Sequence, residues 1–162
     1  MVVMGDWDKL RAELKAYDKE WNVTFAIWCA RKVLPIWEAR HPEDRRPALA
    51  IQATQNWLDA PSEKNASLAC KAAAAVYWTA YRAGHAARIA KTARAASARA
   101  ADTAWAAYSA ALAVYSVDAA YSAADAALND GESCLDLFEE YKQSLELNTI
   151  SLYELNAGFS LS

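Results

Sequence analysis

Apolar residues recur every three or four positions along nearly the whole chain, the spacing of one face of an α-helix. Trp7, Leu10, Leu14 and Tyr17 make the first such stripe, with Asp6 ahead of them as an N-cap. A second helix is expected from about Val23 to Lys32, with Phe25, Trp28 and Cys29 inward. Pro35 lacks an amide hydrogen and crowds the preceding turn, so a kink or restart is expected there. A short piece holding Ile36 and Trp37 then ends at His41-Pro42. The charged stretch from Pro42 to Pro47 reads as a connection, with Asp44 placed to cap a helix that has Pro47 in its first turn. That helix carries Ala50, Ile51, Thr54, Trp57 and Leu58 on one side, and Gln52, Gln55 and Asn56 mostly on the other.

Ser62 or Asn65 is placed to cap the next helix, whose bulky positions are Leu68, Val76, Tyr77, Trp78 and Tyr81. Gly84 is expected inside that helix, where a neighbouring backbone comes close, because no turn chemistry follows it. From Asp102, with Asp102 or Thr103 as the cap, Trp105, Tyr108, Leu112 and Tyr115 fall on one helical face, expected to be core. Asn129-Asp130-Gly131 is the clearest turn. A final helix is expected from about Ser133 to Leu147, with Leu135, Phe138, Tyr141 and Leu145 inward, and residues 148–162 form a tail, docked or frayed.

Composition narrows the architecture. Alanine accounts for 39 of 162 residues, 27 of them between Lys71 and Leu128, while Gly and Pro number four each. Alanine has the best helix propensity but buries little area, so its helices must approach closely. The expectation is an all-α fold: one domain over residues 1–147, a compact bundle of five to seven helices packed through alanine. The seven Trp and eight Tyr would fill the gaps where helices diverge.

Charge is segregated. Residues 1–63 hold 9 Lys/Arg and 10 Asp/Glu, residues 64–101 seven Lys/Arg and no acid, and residues 102–162 one Lys and ten acids. The sum is −3, yet the middle is strongly basic and the rear strongly acidic, a dipole suited to a charged partner. Two groups stand out as candidate partner-binding residues. The first is the acidic last helix with Asp136, Glu139, Glu140 and Glu146, and the second is the basic stripe of Arg88, Lys91, Arg94 and Arg99. The acidic rear argues against direct nucleic-acid binding.

Catalytic motifs are missing. There is no Walker lysine loop, GxGxxG, HExxH or GxSxG. Cys29, Cys70 and Cys134 lack metal-site spacing, and His41 and His85 lie in different elements. No catalytic residue, metal site or cofactor is therefore assigned. The remaining small-molecule reading would pair His85 with Cys70. Arg82, Arg88, Lys91, Arg94 and Arg99 interrupt the alanine-rich stretch, which argues against a membrane span, and Met1 to Asp6 shows no signal-peptide pattern. A cytoplasmic protein is expected.

Three blocks carry a resemblance: Cys29-Ala30-Arg31-Lys32-Val33-Leu34-Pro35-Ile36-Trp37-Glu38, Pro42-Glu43-Asp44-Arg45-Arg46-Pro47, and Ala50-Ile51-Gln52-Ala53-Thr54-Gln55-Asn56-Trp57. Together they resemble a bacterial immunity-protein family with a "CAxRVLP" helix, a "P-x-D-x-RP" connection, an "AI-x-A-x-x-x-W" helix and a later "RAAGHA" motif. That last motif is shortened here to Arg82-Ala83-Gly84-His85-Ala86, and Lys32 stands where the family has Arg. The matching stretch runs from Trp28 to Ala86. The resemblance implies a small cytoplasmic protein that binds and neutralises a toxin. The expected function is thus a non-catalytic binding protein that inhibits a macromolecular partner. The alternative is a phage-encoded inhibitor of a bacterial defence nuclease, of the anti-CRISPR kind, using charge complementarity or nucleic-acid mimicry. An aromatic stripe left exposed would point to a homodimer.

Overall fold

The described residues form seven helices: α1 (Asp6–Lys15), α2 (Lys19–Arg40), α3 (Arg46–Asp59), α4 (Glu63–Ile89), α5 (Arg94–Leu112), α6 (Val117–Ala127) and α7 (Cys134–Phe159). The computed structural model describes residues 5–89, 94–128 and 132–159, and the side chains of residues 5–86, 98–128 and 132–148. No strand occurs among the described residues. The all-α bundle expected from the pattern is what the chain forms.

Alanine sets the packing. On α5, Ala100, Ala101, Ala104, Ala106, Ala107, Ala110 and Ala111 are all buried, so the helix is enclosed on several sides by α2, α3, α4 and α6. Ala73, Val76 and Ala80 of α4 meet Ala100, Ala104 and Ala111 of α5 in one cluster with Trp37 and Ala50. A larger cluster joins α1, α2, α6 and α7 around Leu10, Leu14, Phe25, Cys29, Leu137 and Phe138. Rings knit α7 to α2 there: Phe138 stands edge-on to Phe25 at 5.5 Å, and Tyr141 lies 5.3 Å from Trp28.

Several local expectations are corrected. The N-cap of α1 is Gly5, and Asp6 is the first helical residue, where its charge favours the helix dipole. The next helix begins at Lys19, four residues before Val23, because the Asp18 side chain accepts from Trp21 N at 2.8 Å. It then runs unbroken through Pro35 to Arg40. Pro35 is exposed, while Val33 and Trp37 on either side of it are buried, so packing holds the helix across the lost hydrogen bond. At the connection the N-cap of α3 is Arg45, one residue after the expected Asp44, whose side chain instead accepts from Arg46 N just ahead of the first turn; Pro47 sits in that turn as expected, and Ser62 Oγ accepts from Asn65 N in α4.

Asp102 and Thr103 do not cap a helix. They lie well inside α5, which starts at Arg94, and Thr103 donates instead to the Arg99 carbonyl at 3.1 Å. The helical face expected to reach Tyr115 stops at Leu112. The Ala113 amide bonds back to Ser109 and Ala110, the chain turns, and Ser116 caps α6 by accepting from Asp118 N. Gly84 is inside α4 as expected, but not for the expected reason: among the described residues nothing lies within 4 Å of where its Cβ would stand. The tail expected from residue 148 is helical to Phe159, since no Gly or Pro interrupts the chain between Leu147 and Ala157. The Asn129-Asp130-Gly131 turn lies outside the described residues.

Candidate functional site

The expectation that Trp and Tyr rings fill interior gaps fails on α4. Trp78 is 61% exposed, Tyr81 55% and Leu68 46%, and Tyr77 is partly exposed beside them. Helical geometry explains the result. Ala69, Ala73, Val76 and Ala80 face α3 and α5, which turns Trp78 and Tyr81 outward. Single exposed apolar residues are ordinary, whereas a contiguous exposed aromatic group is a candidate docking surface.

The rings form a continuous ladder. Trp78 stands edge-on to Tyr81 at 6.2 Å and to Tyr77 at 5.3 Å. Tyr77 continues to Trp105 at 5.5 Å and Tyr108 at 5.6 Å on α5. Below the ladder is a groove of about 320 Å³, lined by Cys70, Ala73, Ala74, Tyr77, Trp78, Tyr108 and Leu112. Its walls are methyl groups and ring faces, chemistry that holds an apolar side chain. Cys70 is exposed at its edge. Lys64, Lys71, Trp78 and His85, all exposed, follow at seven-residue spacing along the outer side of α4. Such a stripe drifts only about 20° every seven residues.

The acidic candidates are mostly engaged within the molecule. Asp136 and Ser133 exchange capping bonds at the start of α7, at 3.2 and 3.1 Å. Glu139 pairs with Lys142 at 2.6 Å, and Glu140 pairs with Lys32 of α2. Glu146 is exposed. Of the basic candidates, Arg99 donates to the Leu128 carbonyl beyond the end of α6. The side chains of Arg88, Lys91 and Arg94 lie outside those described.

The histidine and cysteine of the small-molecule reading do not converge. His85 and Cys70 are fifteen residues apart on one helix, about 22 Å at 1.5 Å per residue, too far to act together. His41 lies against the Trp37 ring at 4.2 Å. Cys29 and Cys134 are buried. Burial, reinforced by Cys134, pushes the Cys29 thiol well up from its ordinary value. Burial and the Asp125 carboxylate push Cys134 up to about 11. Neither is a thiolate nucleophile at neutral pH. Among the described residues no group of three or more His, Cys, Asp or Glu is placed to hold a metal ion. No described helix is long and apolar enough to cross a membrane.

The sequence did contain a signal for this face. Trp78 shares its heptad stripe with Lys64 and Lys71, and a lysine-lined stripe faces water. No protein-family model, no curated protein and no solved structure matches the chain.

Proposed function

We propose that this is a non-catalytic, cytoplasmic binding protein that inhibits a macromolecular partner, in the manner of a bacterial immunity protein neutralising a toxin. The observation that carries the reading is the exposed ladder of Trp78, Tyr81 and Tyr77 over an apolar groove between α4 and α5. Trp and Tyr are the residues that most often anchor protein interfaces. The resemblance of the blocks between Trp28 and Ala86 to immunity proteins supports the same reading. Contact through this face rather than through the acidic α7 is favoured because Asp136, Glu139 and Glu140 already have intramolecular partners.

The test is capture from the native host by the immobilised protein, with Trp78→Asp as the paired control, followed by an activity assay of the captured macromolecule. The reading requires that the intact protein retain a partner and inhibit it, and that Trp78→Asp lose both. Capture that survives Trp78→Asp, or a captured macromolecule whose activity is unchanged, overturns it.

A further inference from the structure

Along α4 after Glu63 every charge has one sign. Lys64, Lys71 and Arg82 are exposed on the same side of α4 as Trp78. From Lys64 to Ala101 the sequence contains no acid, and Glu63 opens the helix. The stripe from Lys64 to His85 spans about 31 Å, the length of a helix of about twenty residues. It is cationic at its start, aromatic at Trp78 and Tyr81, and cationic again at Arg82.

From this pattern we infer that the occupant of the α4 face is an acidic amphipathic helix of a protein partner. It lies along α4, with an apolar side chain in the groove between Trp78 and Leu112 and carboxylates against Lys71 and Arg82. The inference rests on the docking role proposed above for the same face. Helix-in-groove recognition uses anchors at turn spacing, which the seven-residue stripe on α4 matches. Complementary charge fixes the register and speeds encounter.

Other occupants fit less well. A second copy presenting this same face would bring Lys71 and Arg82 against cations. A nucleic acid would meet a chain carrying a net −9 from residue 102 onward, and the groove lining contains none of the Arg, Asn or Gln side chains that read base edges. A second copy presenting its α7 would offer carboxylates largely engaged already.

The test uses the full chain and two labelled helical peptides of about twenty residues. Both carry the same leucine face, one flanked by Glu and the other by Lys, and binding is followed by fluorescence anisotropy. The Glu peptide is expected to bind at least about tenfold more tightly at low salt, a preference that shrinks as NaCl is raised. Lys71→Glu with Arg82→Glu should reverse the preference, and Trp78→Ala should weaken both peptides. Equal or tighter binding of the Lys peptide, or no binding of either, overturns the inference. So does an oligothymidine that binds more tightly than the Glu peptide, which would assign the face to nucleic acid. Sedimentation showing a dimer of the protein alone that Trp78→Ala dissociates would assign it to a second copy. If the Glu peptide fails while Trp78→Asp still abolishes capture from the host, the docking role survives and the acidic helix falls. If the Glu peptide binds while capture ignores Trp78→Asp, the acidic-helix site stands and the docking role falls.

Discussion

The Tyr77 ring stands edge-on to the Trp105 indole, centroids 5.5 Å apart and planes at 81°, and so ties the exposed face of α4 to the buried flank of α5. Such a pair contributes about 0.5–1.5 kcal/mol beyond the area it buries. A double-mutant cycle with Tyr77→Ala and Trp105→Ala, read by denaturant unfolding, should return a coupling of that size. Trp78→Ala, at an exposed position, should shift stability by no more than about 0.5 kcal/mol. A large stability loss at Trp78 would mean that it serves the fold and not a partner.

Trp37 holds the α2–α3 connection. It is 2% exposed, and its indole Nε1 donates to the Asp44 carbonyl at 3.0 Å. Trp37→Phe keeps much of the packing but strips that carbonyl of its donor, at a cost of about 1–3 kcal/mol. Trp37→Ala should cost about 3–5 kcal/mol. Thermal or urea unfolding of the two variants would separate the hydrogen bond from the cavity.

Close alanine packing leaves no room for growth. Ala104 is fully buried between α5 and its neighbours. Ala104→Leu should destabilise by about 1–3 kcal/mol although leucine is a good helix former. An unchanged melting temperature would show that the helices can separate at that point.

The three thiols should differ sharply toward an alkylating agent at neutral pH. Cys70 is exposed at the groove, whereas Cys29 and Cys134 are buried with raised pKa. Mass spectrometry of the folded protein should find Cys70 labelled and the other two labelled only after unfolding. Occupancy of the groove should slow the Cys70 reaction. Rapid labelling of all three in the native protein would contradict the packing of α7 on α2.

The Arg46 side chain, hydrogen-bonded to Asp44, holds the Asp44 carboxyl below its ordinary value. A carboxyl with a depressed folded pKa adds stability that is complete above the unfolded value of about 3.9. That stability disappears as the pH falls through the lower folded pKa. Asp44→Asn keeps an acceptor for the Arg46 amide but removes the charge, and should therefore cost up to about 1 kcal/mol near neutrality, the range of a partly exposed ion pair. The difference from the parent should vanish in strong acid. Unfolding curves at both pH values check the sign.

Element identity was largely legible in the chain because the signals are local. The Trp57 and Thr54 stripe, the Ser62 cap and the Phe138 and Tyr141 face all follow from turn-by-turn spacing. What failed depended on distant partners. Pro35 reads as a break, yet the burial of Val33 and Trp37 keeps α2 continuous. Asp102 reads as a cap, yet α5 begins at Arg94, because nothing in an alanine run marks which turn comes first. The acids of α7 read as a free contact surface, and only the fold brings Lys32 onto Glu140.

That this protein is a set of helices held close by alanine follows from its residues in order, since helix propensity and apolar period are properties of neighbouring residues. Which rings face inward was decided by the tertiary structure. An alanine-rich helix has small residues on every side, so its apolar pattern does not say which side will be covered, and only the Lys64 and Lys71 stripe that Trp78 shares points to the open one. The packing of α4 on α3 and α5 chose the side of Ala73, Val76 and Ala80 and left Trp78 and Tyr81 to solvent.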